Sequence, residues 1–123
     1  MSKNAPLGLL ILRVGLSAMM LTHGIPKLMN ALEGNMDFPD PIGLGATVSL
    51  ILTIIAEVLC PVLIIIGFKT RLATIPVIIT MLVALFAVHW ADPIGVKEKA
   101  VLYLVGYLAI ALLGPGKLSV DKG

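Results

Sequence analysis

Long apolar runs separated by short polar breaks dominate the pattern of this chain. Four runs approach the roughly 20 apolar residues that an α-helix needs to cross the hydrocarbon core of a bilayer. Their predicted bounds are residues 6–29, 44–68, 72–90 and 99–114, with an outer loop over residues 30–43. The pattern therefore predicts an all-α fold, a single-domain integral membrane protein built as an antiparallel four-helix bundle.

Composition supports the membrane interpretation and excludes several classes of protein. Of the 123 residues, 59% are hydrophobic and 13% are charged, whereas a soluble domain is about half apolar and about a quarter charged. The net charge is only +2, and no basic cluster suggests binding to nucleic acid. The single cysteine, Cys60, cannot form an internal disulfide or a thiolate zinc site, so we predict no metal site.

Cations in the loops predict the orientation of the bundle. With four spans, both termini share one side of the membrane with the turn at residues 69–71. That side carries five lysine and arginine residues: Lys3, Lys69, Arg71, Lys117 and Lys122. The opposite side carries fewer cations and most of the acidic residues. Because loop cations favour the cytoplasmic side, both termini are predicted to be cytoplasmic.

Two charged residues, Arg13 and Glu57, fall well inside the predicted spans, away from their ends. Counting from the helix ends places both in the inner half of the bilayer at similar depth. A charge facing lipid there is costly, so we expect the two side chains to point into the bundle and to pair. Pro61 cannot donate to the carbonyl of Glu57, four residues earlier, which frees a backbone acceptor. Two interpretations stay open: a structural ion pair, or a proton-handling role for Glu57.

A second polar group is predicted near the outer side. His23 and His89 lie at matching depth on the first and third spans, and Lys27 follows one turn beyond His23. Tyr103 and Tyr107 share one face of the last span. Imidazole exchanges protons near neutral pH, and a phenol or ammonium donates hydrogen bonds to carbonyl oxygens. A pocket with these groups could hold the head of a quinone while its tail lies between helices.

Simpler interpretations of the same residues remain. Two histidines could bind a haem or a metal, but without thiolate or carboxylate support they are weak evidence. Lys27 could extend to the membrane surface, and Tyr103 could belong to the aromatic belt. A single histidine near a helix end commonly bonds to backbone or water. Cys60 lies in an apolar stretch, where an inert buried thiol is expected.

Several short motifs occur in a characteristic order along the chain. The first span contains Arg13, and residues 23–27 read HGIPK; the second span contains Glu57. Residues 66–73 read IGFKTRLA, and residues 114–121 read GPGKLSVD. This ordered set resembles the DoxX family of small bacterial and archaeal membrane proteins with four spans, and the resemblance covers nearly the whole chain.

The resemblance implies a multi-pass protein in the cell membrane of a bacterium or archaeon. The family is named for its likeness to the membrane subunits of an archaeal thiosulfate:quinone oxidoreductase, which implies a quinone-facing component. The positions that carry the resemblance are Arg13, His23, Lys27, Glu57 and Arg71. No flavin, nicotinamide or iron–sulfur motif is recognisable, so electrons would come from a partner subunit, a bound haem or the substrate.

Three functions follow as hypotheses, and whether the chain is itself an enzyme is left open. In a quinone-linked oxidoreductase component, the predicted catalytic residues are His23, Glu57 and Arg13. The predicted quinone-binding residues are Lys27, His89, Tyr103 and Tyr107. The alternatives are a non-catalytic anchor or scaffold subunit and a small transporter or channel. Expected partners are the lipid bilayer, quinone or another small hydrophobic ligand, and a redox subunit or further copies of this chain.

Overall fold

Four helices account for most of the residues that the computed structural model describes, which are 4–35, 43–88 and 91–121. Helix α1 spans Ala5–Leu32, and α2 spans Ala46–Ile66 with a π-helical turn at Ile55–Leu59. Helix α3 spans Thr70–Val83 and continues into a second π-helical turn at Ala84–Val88; α4 spans Ile94–Leu113. The described residues contain no β-strand.

The helices form a closed ring in which each contacts its neighbours in sequence and α4 contacts α1. This confirms the predicted four-helix bundle. Within the described chain, α1, α2 and the segment Thr70–Ala87 are long and apolar enough to cross a membrane. Helix α4 begins at Ile94, five residues before the predicted start of the last span at residue 99. The charged residues 97–99 are part of its first turns. The side of the membrane on which the termini lie stays a prediction.

Apolar side chains cover the outside of the bundle, while several polar groups lie inside. Large exposed side chains such as Ile11, Leu52, Ile79 and Leu102 point outward on the four helices. The buried polar residues are Arg13, Ser17, Ser49, Glu57, Thr70 and Thr74. This distribution suits a protein whose surroundings are lipid, where polar groups gain more from partners in the bundle than from the surface.

We call the end of the bundle that carries residues 67–69 the turn end, and the end where α1 stops and α2 starts the loop end. Gly67 ends α2 in a left-handed conformation with φ of 75°. The N–H groups of Gly67 and Phe68 donate to the carbonyls of Ile64 and Leu63. Acceptors at the end of α2 are thereby satisfied, and the chain reverses into α3 within three residues.

Residues 114–121, which we call the C-terminal segment, pack across the turn end and form hydrogen bonds with it. The backbone of this segment donates from Val120 to Ile66 and from Asp121 to Gly67. The Asp121 carboxylate accepts hydrogen bonds from the backbone N–H groups of Lys69 and Thr70, each at 2.9 Å. An acceptor from the far end of the sequence thus caps the first turn of α3. These bonds, that of Thr70 foremost, hold the pKa of the Asp121 carboxyl below its usual value.

Candidate functional site

An open cavity of about 340 Å³ lies in the loop-end half of the bundle. We call it the head cavity. Side chains of all four helices line it, and they combine charged, aromatic and thioether groups. The lining residues are Met20, His23, Lys27, Glu57, Met81, Ala84, Lys99, Ala100 and Tyr103. A partly polar cavity between membrane-spanning helices is a usual place for a small-molecule site.

The head cavity contains an ion pair between Lys27 of α1 and Glu57 of α2. Lys27 Nζ donates to both carboxylate oxygens of Glu57, at 2.7 Å to Oε1 and 3.0 Å to Oε2. The Glu57 side chain is only 5% exposed, whereas that of Lys27 is 34% exposed. The carboxylate is therefore held inside the bundle by a charge-assisted hydrogen bond, and the lysine is the more exposed partner of the pair.

The predicted pairing of Glu57 with Arg13 is wrong. Glu57 lies level with Gly24 on α1, and Arg13 is eleven residues before Gly24, about 16 Å of helix rise. Counting depth from the helix ends assumed that α1 and α2 end level with each other at the turn end. Instead α1 begins about ten residues, nearly three turns, beyond the end of α2. In this extension Leu9 contacts Gly116 of the C-terminal segment.

A close contact between α1 and α2 fixes the position of Glu57. A Cβ atom added to Gly24 would lie 2.6 Å from the carbonyl carbon of Glu57, well inside van der Waals contact. The carbonyl belongs to the π-helical turn Ile55–Leu59, where the N–H of Cys60 donates to Ile55 five residues earlier. Pro61 offers no N–H to this turn. The Glu57 carbonyl thus lies in an irregular turn of α2, and Gly24 leaves room for it on α1.

Aromatic rings of α4 form the wall of the head cavity next to His23. The His23 ring meets the Tyr103 ring edge to face, with centroids 5.8 Å apart and an interplanar angle of 88°. Tyr107 stacks on Tyr103 from the turn-end side, at 6.4 Å and 24°. The Tyr107 hydroxyl is 3.1 Å from the hydroxyl of Ser17. Tyr107 is fully buried and positions Tyr103, but it does not line the cavity.

Arg13 lies apart from the head cavity and binds backbone carbonyls at the turn end. Its Nη1 donates to Ile64 at 2.9 Å and to Ile65 at 3.1 Å, and its Nη2 donates to Leu118 at 2.5 Å. The side chain is fully buried. One guanidinium thus joins α1, the last turn of α2 and the C-terminal segment. This geometry gives Arg13 a structural role, and its predicted catalytic role stays untested.

The structure brings together four of the seven predicted site residues: His23, Lys27, Glu57 and Tyr103. Arg13 and Tyr107 lie outside the cavity lining, and His89 lies outside the described residues. The lining also includes Lys99, which the sequence analysis did not select. Its position one turn before Tyr103 on the same face of α4 could have indicated it. Among the described lining residues, the charged side chains are therefore Lys27, Lys99 and Glu57.

Comparison with known proteins agrees with the architecture. The DoxX family model matches residues 8–90 of this chain. The chain is 31% identical to inner membrane protein YphA of Escherichia coli (strain K12), over 95% of this chain and 90% of that protein. It is 30% identical to a Bacillus subtilis (strain 168) protein named "Putative oxidoreductase CatD", over 98% of this chain and 90% of that protein. No solved structure matches. On this evidence the chain is a membrane protein that belongs to the DoxX family.

Proposed function

We propose that this protein is the quinone-facing component of a membrane oxidoreductase. The observation that carries the proposal is the Lys27–Glu57 ion pair beside His23 in an open cavity between membrane-spanning helices. A quinone head has two carbonyl oxygens that need hydrogen-bond donors, and a surrounding ring that needs apolar contacts. Lys27 and His23 supply donors, and Met20 and Met81 supply apolar surface.

Reduction of a quinone to a quinol consumes two electrons and two protons, and the residues of the cavity suit the proton part. The Lys27 ammonium donates a hydrogen bond to one carbonyl oxygen and favours negative charge there as electrons arrive. His23 can transfer one proton to one oxygen and regain it from water, and water supplies the second proton to the other oxygen. Glu57 accepts a hydrogen bond from a new quinol hydroxyl and keeps Lys27 in place. The reverse sequence of transfers oxidises a quinol.

The electrons come from outside this chain in our proposal. The sequence shows no recognisable motif for a flavin, a nicotinamide or an iron–sulfur cluster, so we propose a separate redox subunit as the electron donor. The word oxidoreductase in the name of the Bacillus subtilis relative is in keeping with such a role. We further propose that the protein lies in a bacterial or archaeal cell membrane with both termini in the cytoplasm.

Binding of a quinone head to the purified protein tests this function. We expect a short-chain benzoquinone to bind saturably in isothermal titration calorimetry in detergent. His23→Ala and Glu57→Gln are each expected to weaken binding by at least tenfold. Glu33→Gln is the matched control, because Glu33 is an exposed carboxylate at the end of α1. Saturable binding that is equal in all four proteins would contradict the proposal.

The same variants distinguish the proposed function from the main alternative, a non-catalytic anchor subunit. Membranes that contain the protein and its co-purified partners are assayed for quinone reduction. An anchor predicts that His23→Ala and Glu57→Gln leave turnover intact as long as the complex assembles. Transport is less well supported, because Tyr107 and Ile64 are fully buried and fill the bundle on the turn-end side of the cavity.

A further inference from the structure

A second cavity adjoins the head cavity on the outer surface between α1 and α4. Its volume is about 260 Å³, and its surface is almost entirely apolar. The lining residues are Leu16, Met19, His23, Lys99, Leu102 and Tyr103. We call it the α1–α4 groove. It shares His23, Lys99 and Tyr103 with the head cavity, so the rings of His23 and Tyr103 form a common wall.

The groove is closed at one end and open along its side. Leu16 packs against Gly106 and closes the groove toward the turn end. His23 lies seven residues beyond Leu16, which gives the groove a length of about 10 Å. Met19 and Leu102 are 59% and 60% exposed on the apolar outside of the bundle. The groove therefore opens sideways, toward the space that lipid chains occupy.

We propose that the α1–α4 groove holds the first part of the isoprenoid chain of the quinone, and that the quinone enters sideways from the bilayer between α1 and α4. This inference rests on the proposed function. An isoprenoid quinone consists of a compact polar head joined to an apolar chain. The protein provides one partly polar cavity joined to one apolar groove, and the cavity and the groove meet at His23 and Tyr103.

A quinone fits this pair of cavities better than a phospholipid does. A phospholipid in the groove would bring a charged phosphate into the head cavity, next to the Glu57 carboxylate. Lys27 already pairs with that carboxylate, so among the described lining residues Lys99 is the lysine left to bind the phosphate. The neutral quinone head avoids this repulsion and uses the donors of Lys27 and His23. Beyond the groove, the isoprenoid chain of the quinone continues into the bilayer.

Filling the groove tests the inference. Leu102→Trp places an indole in the groove, and Val105→Trp is the matched control. Val105 lies on the same helix, is 61% exposed and lines neither cavity. Calorimetry with the purified protein compares one benzoquinone head without a chain and with two isoprene units. The gain is the ratio between the affinity for the quinone with two isoprene units and the affinity for the chainless head. We expect Leu102→Trp to reduce this gain at least tenfold, and Val105→Trp to leave it unchanged.

The outcomes separate this inference from the proposed function. If the chainless head binds and Leu102→Trp leaves the gain from the isoprene units unchanged, the groove assignment is overturned and the head cavity stands. If neither quinone binds wild-type protein, both proposals fall. A second measurement does not depend on the folding of a variant: a quinone with a photoreactive diazirine on its first isoprene unit is crosslinked to wild-type protein.

We expect the photoreactive quinone to label Leu16, Met19 or Leu102, located by mass spectrometry of the digested protein. Labelling on the opposite helices α2 and α3 would overturn the assignment. A tightly bound phospholipid would also overturn the assignment. It would co-purify in equal amount with the protein, and an excess of the isoprenoid quinone would fail to displace it. Competition by the unlabelled quinone should abolish the labelling.

Discussion

Gly24 of α1 packs directly against the backbone carbonyl of Glu57 in α2, and this contact lets Lys27, one turn along α1, reach the Glu57 carboxylate. The distance of 2.7 Å between Lys27 Nζ and Glu57 Oε1 depends on how closely the two helices approach. The candidate site is therefore built from a glycine as much as from its charged residues.

Replacing Gly24 by alanine tests this dependence. The added methyl group would lie 2.6 Å from the Glu57 carbonyl carbon, so the helices must separate. We expect Gly24→Ala to destabilise the fold by about 1–3 kcal/mol and to weaken quinone binding at least tenfold. Gly15→Ala is the control on the same helix, because nothing lies within 4 Å of its added Cβ. Equal melting temperatures for the two variants would contradict the contact.

The Lys27–Glu57 ion pair predicts strong coupling between its two residues. Lys27→Met removes the cation of this pair, and Glu57→Gln removes its negative charge. We expect the double variant to lose less stability than the sum of the losses of the two single variants. The difference, which is the coupling energy of the pair, should be about 1–3 kcal/mol. Unfolding of the four proteins in detergent measures it. Additive effects would show that the pair is not formed.

Arg13 is expected to act on stability and not on binding of the quinone. Arg13→Met removes the donor from Ile65 and Leu118, while the Ile64 carbonyl keeps its bond from the N–H of Gly67. The expected cost is about 1–3 kcal/mol for each acceptor left unpaired. The control is Arg71→Met, since Arg71 is exposed and donates one bond, to Ala111 at 3.2 Å. A lower melting temperature with unchanged quinone affinity is the expected result. A loss of affinity in a folded Arg13→Met protein would favour the catalytic role.

Acid should loosen the turn end through Asp121. The backbone bonds from Thr70 and Lys69 lower the pKa of Asp121 below the usual aspartate value of 3.8. A depressed pKa adds stability that is complete above the unfolded value and is lost as the pH falls through the folded value. We expect the melting temperature of the wild type to fall more steeply below pH 3.8 than that of Asp121→Asn. Parallel curves for the two proteins would contradict this.

Membrane orientation can be measured with the single native cysteine removed. Starting from Cys60→Ser, we propose Lys117→Cys at the turn end and Ala91→Cys at the loop end, both at exposed positions. The positive-inside rule predicts that a membrane-impermeant maleimide labels only the Ala91 variant in intact cells. Labelling of the Lys117 variant alone would invert the predicted topology.

Apolar run lengths were sufficient to predict the bundle, because the bilayer fixes the length of each span. Helical spacing also placed His23, Lys27 and Tyr103 in one region correctly. The partner of Glu57 was predicted wrongly because it depends on how α1 and α2 pack against each other, which places Glu57 level with Gly24. Residue types alone do not encode that packing.

Two other features were beyond the reach of sequence patterns. The partners of Arg13 are backbone carbonyls, and every residue type carries a carbonyl, so no motif indicates which ones it binds. The π-helical turn at Ile55–Leu59 leaves the apolar periodicity almost unchanged. Pro61 indicated a disturbed helix, but the closeness of Gly24 to the freed carbonyl required the tertiary structure.

The contact between Arg13 and Leu118 has a consequence for biogenesis. The two residues are 105 positions apart, so Arg13 enters the membrane long before its carbonyl partner is synthesised. Until translation reaches residue 118, the guanidinium must stay near water or borrow the carbonyls of α2. The full set of Arg13 partners is therefore available only after residue 118 has been synthesised. The final packing of the first helix at the turn end thus depends on a segment that is made after all four helices.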